Sequence, residues 1–416
     1  MASILRKLAT KTLWVYFSVL LFLVSSNMHY LVNGAPQVPC YFIFGDSLSD
    51  SGNNNWLLTL AKVNYRPYGI DFSLGPTGRF CNGRNLVDII DRNGGVRRPR
   101  SFSGTLQLLG GGVRSREERE FSDRVKVVLW VSIGAELLGF DDYIPPFATA
   151  IKYDITKGVN YASGAAGIRD ESGRNGMRIS LNKQLINHQI IVKRLVALRG
   201  NNGSLVADYL NKCIYSVGMG SNDYINNYFR PKLYQTSRLY TPQQYADVLV
   251  QEYSQQLRTL YNSGARKIVI FGVGTIGSTP FEVAMCGSNG TRCVDNINNA
   301  VQLFNARLKS LVTDLNTNLT NAKFIYIDYY GIGLSGALSS PPGTINYTAP
   351  CCEVERNSTT GLCTSFKTPC QNRTQYAFWD AIHPTEISNV FVAARAYNST
   401  LPTDVFPYDI SHLAQM

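Results

Sequence analysis

Short apolar runs alternate along this chain with longer stretches whose apolar residues recur every three or four positions. The short runs are 41–44, 157–161, 213–217, 267–273 and 323–329, and each reads as a buried strand. Between them the period changes. Ile297, Ala300, Val301, Phe304, Leu308, Leu311 and Leu315 fall on one face of a helix. Strand and helix signals in alternation predict an α/β fold, a three-layer α/β/α sandwich with a central, mainly parallel five-stranded sheet. In such sheets ligands gather at the carboxyl ends of the strands. Gly45-Asp46-Ser47-Leu48 follows the first run directly, and residues 218–223 follow the third, so both are expected on one edge. No linker or internal repeat interrupts residues 35–416, which predicts one domain.

Two stretches break the alternation. Residues 1–34 carry Arg6, Lys7 and Lys11, then an apolar run over 13–24, then small residues at Ser25, Ser26, Gly34 and Ala35. That is the layout of a secretory signal peptide, with an apolar run shorter than a stable membrane span needs. Residues 91–134 contain an Arg-rich run, Gly110-Gly111-Gly112 and a mixed Arg/Glu run, and contribute +4 of the net charge of +11. Removing them on paper joins Ile90 to Ala135 and places Leu86, Ile89, Ile90, Leu137 and Leu138 on one continuous helical stripe. The segment therefore reads as an atypical insertion that splits an amphipathic helix, and a retained intron or gene-model error is the expectation over a natural surface loop.

Secretion changes how the cysteines are read. There are nine, with Cys286 close to Cys293, and Cys351, Cys352, Cys363 and Cys370 crowded together. In an oxidising compartment these are expected to form disulfides, and the odd total leaves one thiol over, with Cys213 the expected one. A metal site is not expected, because no histidine lies near the cluster and no CxxC pair occurs. Seven glycosylation sequons, at Asn202, Asn289, Asn318, Asn346, Asn357, Asn372 and Asn398, fit an extracellular glycoprotein. The basic residues outside the insertion are scattered, so a pI near 9.2 does not indicate a nucleic-acid partner. Association with an anionic cell wall remains compatible with it.

The candidate chemistry is nucleophilic. Ser47 stands at a strand end behind a turn-forming Gly-Asp, but a serine attacks only with a base beside it. Of the four histidines, His29 lies in the signal, His412 lies near the end, and His188 sits in a helical stretch without an acid to orient it. His383 remains, three residues after Asp380 and just before Pro384, which is expected to open a helix with Ile387, Val390, Phe391 and Ala394 inward. Asp380 can hold one ring nitrogen and leave the other for Ser47. Backbone N–H groups of Ser47 and Gly164 and the side-chain amide of Asn222, each following a strand-like run, are candidate oxyanion donors.

Four blocks carry a family resemblance: Phe44-Gly45-Asp46-Ser47-Leu48-Ser49-Asp50-Ser51-Gly52-Asn53-Asn54, Asn160-Tyr161-Ala162-Ser163-Gly164, residues 218–223, and Trp379-Asp380-Ala381-Ile382-His383-Pro384-Thr385. In this order the chain resembles the secreted plant branch of the GDSL esterase/lipases, the SGNH hydrolases, over roughly 40–405 apart from the insertion. The resemblance implies a flavodoxin-like sandwich and a carboxylic ester hydrolase needing no metal or cofactor. It implies Ser47 as nucleophile, His383 as base, Asp380 as its acid, and Ser47, Gly164 and Asn222 as the oxyanion hole. An ester or lipid is the expected partner. An extracellular acyltransferase of the polyester-assembling kind would use the same acyl-enzyme, and a non-enzymatic wall or defence protein would keep only the fold. Gly272-Val273-Gly274-Thr275-Ile276-Gly277 imitates a dinucleotide fingerprint, but Pro280 follows closely, so a glycine-lined loop near the substrate cleft is expected instead.

Overall fold

The central strands owe their placement to apolar residues on both faces. The computed structural model describes residues 35–91, 137–174, 176–287, 290–341, 343–356 and 358–416. The expected signal peptide and almost all of the expected insertion lie outside them. Gln37–Met416 forms one compact unit. Four parallel strands, β1 (Tyr41–Gly45), β2 (Ile214–Gly218), β3 (Lys267–Phe271) and β4 (Lys323–Ile327), lie side by side in that order. Their register runs Tyr41 beside Ile214, Ile214 beside Lys267, and Lys267 beside Lys323. Consecutive side chains point to opposite faces. Phe42, Phe44, Tyr215, Val217, Ile268 and Ile270 enter one core, while Tyr41, Ile43, Ile214, Val269 and Phe271 enter the other.

The first core is covered by α2 (Leu181–Leu198), α3 (Pro242–Asn262) and α4 (Gly290–Asn318), and the second by α1 (Leu86–Asp91) and α5 (Glu386–Tyr397). The stripe predicted on α4 is wholly buried, from Ile297 to Leu315. Helix α3 opens on a capping box, in which Thr241 accepts from the Gln244 N–H and Gln244 accepts from the Thr241 N–H. Three layers result, as expected.

The fifth strand is not the one predicted. Residues 159–161 run beside β1, with Ile43 N–H donating to Val159 O at 3.1 Å and Tyr161 N–H to Ile43 O at 2.7 Å. Asn160 makes only isolated bridges, to Ile43 and Pro146, and Gly158 just before it has φ 122°. The fifth formal strand is β7 (Val405–Phe406), antiparallel to β4. A separate parallel pair, β5 (Asn346–Pro350) and β6 (Tyr376–Phe378), lies ahead of the second motif. Counting the 159–161 stretch, spatial order in chain numbering becomes 2-1-3-4-5, and the order reverses at β1. That switch point delivers Ser47.

The cysteine expectation needs one correction. Cys213 is not free; it pairs with Cys40, and the unpaired thiol is the buried Cys81. The register explains it. Tyr41 lies opposite Ile214, so the preceding residues, 173 apart in sequence, meet with Cα atoms 4.8 Å apart. The other pairs are local: Cys286–Cys293, Cys351–Cys370 and Cys352–Cys363.

Where the chain resumes after α1, Leu138 N–H donates to Ile90 O at 2.9 Å and Phe140 N–H to Asp91 O at 2.9 Å. Leu137 and Leu138 share a core with Leu86, Ile89 and Ile90. With 44 residues taken out of the numbering, the first of these bonds has the i to i−4 spacing of an α-helix.

Candidate active site

β1 ends at Gly45, where a side chain would be tightly pressed. A Cβ there would lie 3.1 Å from Ser49 Cβ and 3.3 Å from Gly218 O. Gln184 of α2 clasps this residue from below, accepting from its N–H at 3.0 Å and donating to its carbonyl at 2.9 Å. The chain then folds over Asp46. Its carbonyl accepts from Ser49 and Asp50 N–H, and its carboxylate accepts from Leu48 N–H at 3.0 Å. Ser47 is left at the crest of this turn, with its own N–H unbonded to other protein groups among the described residues.

The second motif forms a tight loop after β6. Trp379 N–H donates to His383 O at 2.7 Å, and the Trp379 ring is buried. Pro384 pairs back with Phe378, so α5 begins at Glu386 rather than at the proline. Asp380 Oδ1 accepts from the N–H groups of Ile382 and His383 at 2.8 and 2.7 Å. Its carboxylate lies 2.8 Å (Oδ2) and 3.0 Å (Oδ1) from His383 Nδ1. His383 Nε2 lies 2.8 Å from Ser47 Oγ. An ionised carboxylate can only accept, so Nδ1 carries the proton and Nε2 presents its lone pair to the serine hydroxyl. Phe80 packs on the imidazole at 4.8 Å between ring centroids.

The rejected histidines fall where the elimination argument put them. His188 is buried in α2 among Phe42, Phe44, Tyr161 and Tyr215, with Tyr161 Oη 3.1 Å from its Nδ1. Burial pushes its pKa down to about 3, so it is neutral. His412 repeats the Asp-x-x-His geometry with Asp409 at 2.8 Å, but its side chain is 69% exposed. That spacing is therefore not diagnostic by itself; what sets His383 apart is the serine facing it.

The expected oxyanion donors are only partly brought together. Asn222, in the helical turn Ser221–Asp223 after β2, is buried and locked. Its Oδ1 accepts from Asn226 Nδ2 at 2.6 Å, and its Nδ2 donates to Ala166 O at 2.9 Å and reaches Asp46 Oδ2 at 3.5 Å. Gly164 N–H is already engaged, donating to Asp50 Oδ2 at 3.0 Å. Asp50 Oδ1 also accepts from the Gly52 and Asn53 N–H groups, each at 2.8 Å. The next residue, Ala165 at φ 66°, is the one that lines the cleft. Gly164 is still constrained to be glycine, because a Cβ would lie 2.6 Å from Phe80 Cζ and 2.8 Å from Asn54 Nδ2. Burial pushes the Asp46, Asp50 and Asp223 carboxyls up to about 6, which leaves them ionised at neutral pH.

Ser47 and His383 open into a cleft of about 1530 Å³ whose walls include Leu60, Leu233, Ile276, Phe281, Tyr329 and Phe391. Gly274, Thr275 and Ile276 of the glycine-lined loop are part of it, as expected. Such a lining suits an acyl chain beside a few fixed polar groups. Among the described residues no group of three or more His, Cys, Asp or Glu is placed to hold a metal ion. No described helix is long and apolar enough to cross a membrane.

Sequence reasoning missed Gln184, Asp50 and Tyr68, whose hydroxyl donates to Asp380 Oδ2 at 2.6 Å. Asp50 lies inside the first block and was readable as part of it. Gln184 and Tyr68 carry no local signal.

Comparison with known proteins agrees with this geometry. The family model described as GDSL-like Lipase/Acylhydrolase matches residues 41–396. GDSL esterase/lipase At1g29660 of Arabidopsis thaliana is 44% identical, with all of both chains covered. GDSL esterase/lipase At1g29670 of the same plant is 47% identical over 91% of this chain and 92% of its own. GDSL esterase/lipase At5g45670, also from Arabidopsis thaliana, is 43% identical over 96% of this chain and 98% of its own. The strand-end serine, the histidine facing it and the matches spanning nearly the whole chain lead to one assignment: this protein belongs to the GDSL lipase/acylhydrolase family.

Proposed function

We propose that this chain is a secreted serine hydrolase that cleaves carboxylic esters of lipids through Ser47, His383 and Asp380. One observation carries the reading: Ser47 Oγ lies 2.8 Å from His383 Nε2, and Asp380 Oδ2 lies 2.8 Å from Nδ1 of the same ring. Ser47 attacks the acyl carbon as His383 Nε2 takes its proton. The tetrahedral oxyanion is met by Ser47 N–H and by Asn222 Nδ2, through the hydrogen that only reaches Asp46 Oδ2 at 3.5 Å, while Gly164 N–H stays with Asp50. Collapse expels the alcohol, which takes the proton back from His383. Water then repeats the sequence on the acyl-enzyme and releases the acid. Asp380 holds the imidazole in the Nδ1–H form and stabilises its cationic state.

Secretion is supported by four disulfides and by the exposure of Asn202, Asn318, Asn372 and Asn398. The test of function is turnover of a soluble acyl ester and of a glycerolipid by the purified protein and by Ser47→Ala. Free acid from the native protein, reduced ~10³-fold or more in the variant, is expected. Turnover that survives the substitution removes Ser47 from the mechanism. Transfer of the acyl group to an added alcohol in preference to water would replace hydrolysis with acyl transfer.

A further inference from the structure

We propose that Tyr68 is a positioning residue for the catalytic acid, held in place by the Cys352–Cys363 disulfide. The proposal rests on the triad reading above. Tyr68 comes from the loop after the first block, far in sequence from the second motif, yet its hydroxyl donates to Asp380 Oδ2 at 2.6 Å. That oxygen is also the nearer one to His383 Nδ1. Two backbone N–H groups already fix Oδ1, so the tyrosine supplies the third donor and stops the carboxylate from pivoting. The ring is fully buried and meets Trp379 and Phe80 edge-on, each at 6.5 Å between centroids. Phe80 in turn packs on His383.

The hydroxyl is itself oriented. It accepts from Cys363 N–H at 3.1 Å, so its own proton is directed to the carboxylate. Cys363 is bonded to Cys352, whose N–H donates to Trp379 O at 2.9 Å. The disulfide therefore joins Cys363, which aims Tyr68, to Cys352, which is hydrogen-bonded to the residue that precedes Asp380. This arrangement has two consequences. The donor from Tyr68 lowers the charge density on Asp380, and so limits how strongly the carboxylate attracts a proton onto His383. It also keeps Oδ2 aligned with Nδ1 throughout the reaction.

The decisive experiment compares Tyr68→Phe with the native protein and with Tyr65→Phe. Tyr65 is the control, since its hydroxyl bonds Cys363 O at 2.9 Å and does not hydrogen-bond the acid. For Tyr68→Phe we expect a roughly tenfold fall in kcat on a soluble ester, an unchanged KM, and an acid limb of the kcat/KM profile moved to higher pH. In an Asp380→Asn background the same substitution should cost nothing further. Tyr65→Phe should leave the acid limb in place. An unmoved acid limb in Tyr68→Phe, or a loss that persists in full in the Asp380→Asn background, overturns the proposal and makes Tyr68 a packing residue. Fluorophosphonate labelling of Ser47 at an unchanged rate in Tyr68→Phe would also overturn it while leaving the triad intact; absence of label on native Ser47 would overturn the triad itself.

Discussion

Asp380→Asn changes one atom and should remove nearly all activity. The carboxylate accepts from Ile382 N–H, His383 N–H, His383 Nδ1–H and the Tyr68 hydroxyl. An asparagine can accept on one side only. If its oxygen stays with the two backbone donors, its NH₂ occupies the Oδ2 position and faces His383 Nδ1. The imidazole must then carry its proton on Nε2, where it donates to Ser47 and cannot take the serine proton. The same change of tautomer in a serine protease lowers kcat about 10⁴-fold, which corresponds to about 5 kcal/mol in the barrier. Burial of Asp380 excludes water that could relieve the mismatch, so a fall of that order is expected here. The assay is kcat on a soluble chromogenic ester together with the rate of phosphonylation by an organophosphonate, both of which require Nε2 as base. A thermal melt confirms that the variant is folded. Activity within tenfold of the native protein, from a folded variant, would refute the claim that Asp380 orients His383.

Other expectations follow from the packing. His188 titrates at about 3 when folded against 6.5 in its ordinary state, so the stability it contributes is complete above pH 6.5 and is lost as pH falls toward 3. At pH 5 this loss is about 2 kcal/mol, so His188→Gln should show a smaller drop in Tm between pH 7 and 5 than the native protein, and an equal drop would contradict it. Gly164→Ala forces a Cβ against Phe80 and Asn54, and should cost about 1–3 kcal/mol of stability and lower kcat through the displaced Phe80; a normal Tm and kcat would show that the turn has room. Removing residues 91–134 should leave a folded protein with a melting temperature no lower than that of the full chain, because the bond from Leu138 to Ile90 and the stripe it closes then lie within one continuous helix. Failure of that shortened chain to fold would make the segment part of the structure.

The juxtaposition of Ser47, His383 and Asp380 was legible because each is anchored by a short, self-contained piece of chain. Asp380 and His383 are three residues apart and share one loop, and Ser47 follows an apolar strand. The strands and the buried face of α4 were legible for the same reason, since short apolar runs and a period near four are local properties, whereas the helix Glu386–Tyr397 buries Asn389, Val390, Val392, Ala393 and Ala396 and turns Ile387 and Phe391 to the cleft. What escaped notice depends on registers between distant segments. Cys40 meets Cys213 only because β1 and β2 pair in one register, and no spacing announces it. The two-residue β7 is too short to carry a periodic signal, and residues 159–161 look like a strand yet manage only isolated bridges. The role of Gly164 depended on where its N–H points, and Asp50 decides that through three backbone bonds. Tyr68 reaches the acid across the molecule, from a loop whose sequence reads as an ordinary turn.

Activation of Ser47 is tested by labelling the purified protein with a fluorophosphonate and mapping the modified residue by peptide mass. A single adduct on Ser47 is expected, formed by the native protein and absent from His383→Ala. An adduct on another serine, or no adduct on a folded native protein, would contradict it.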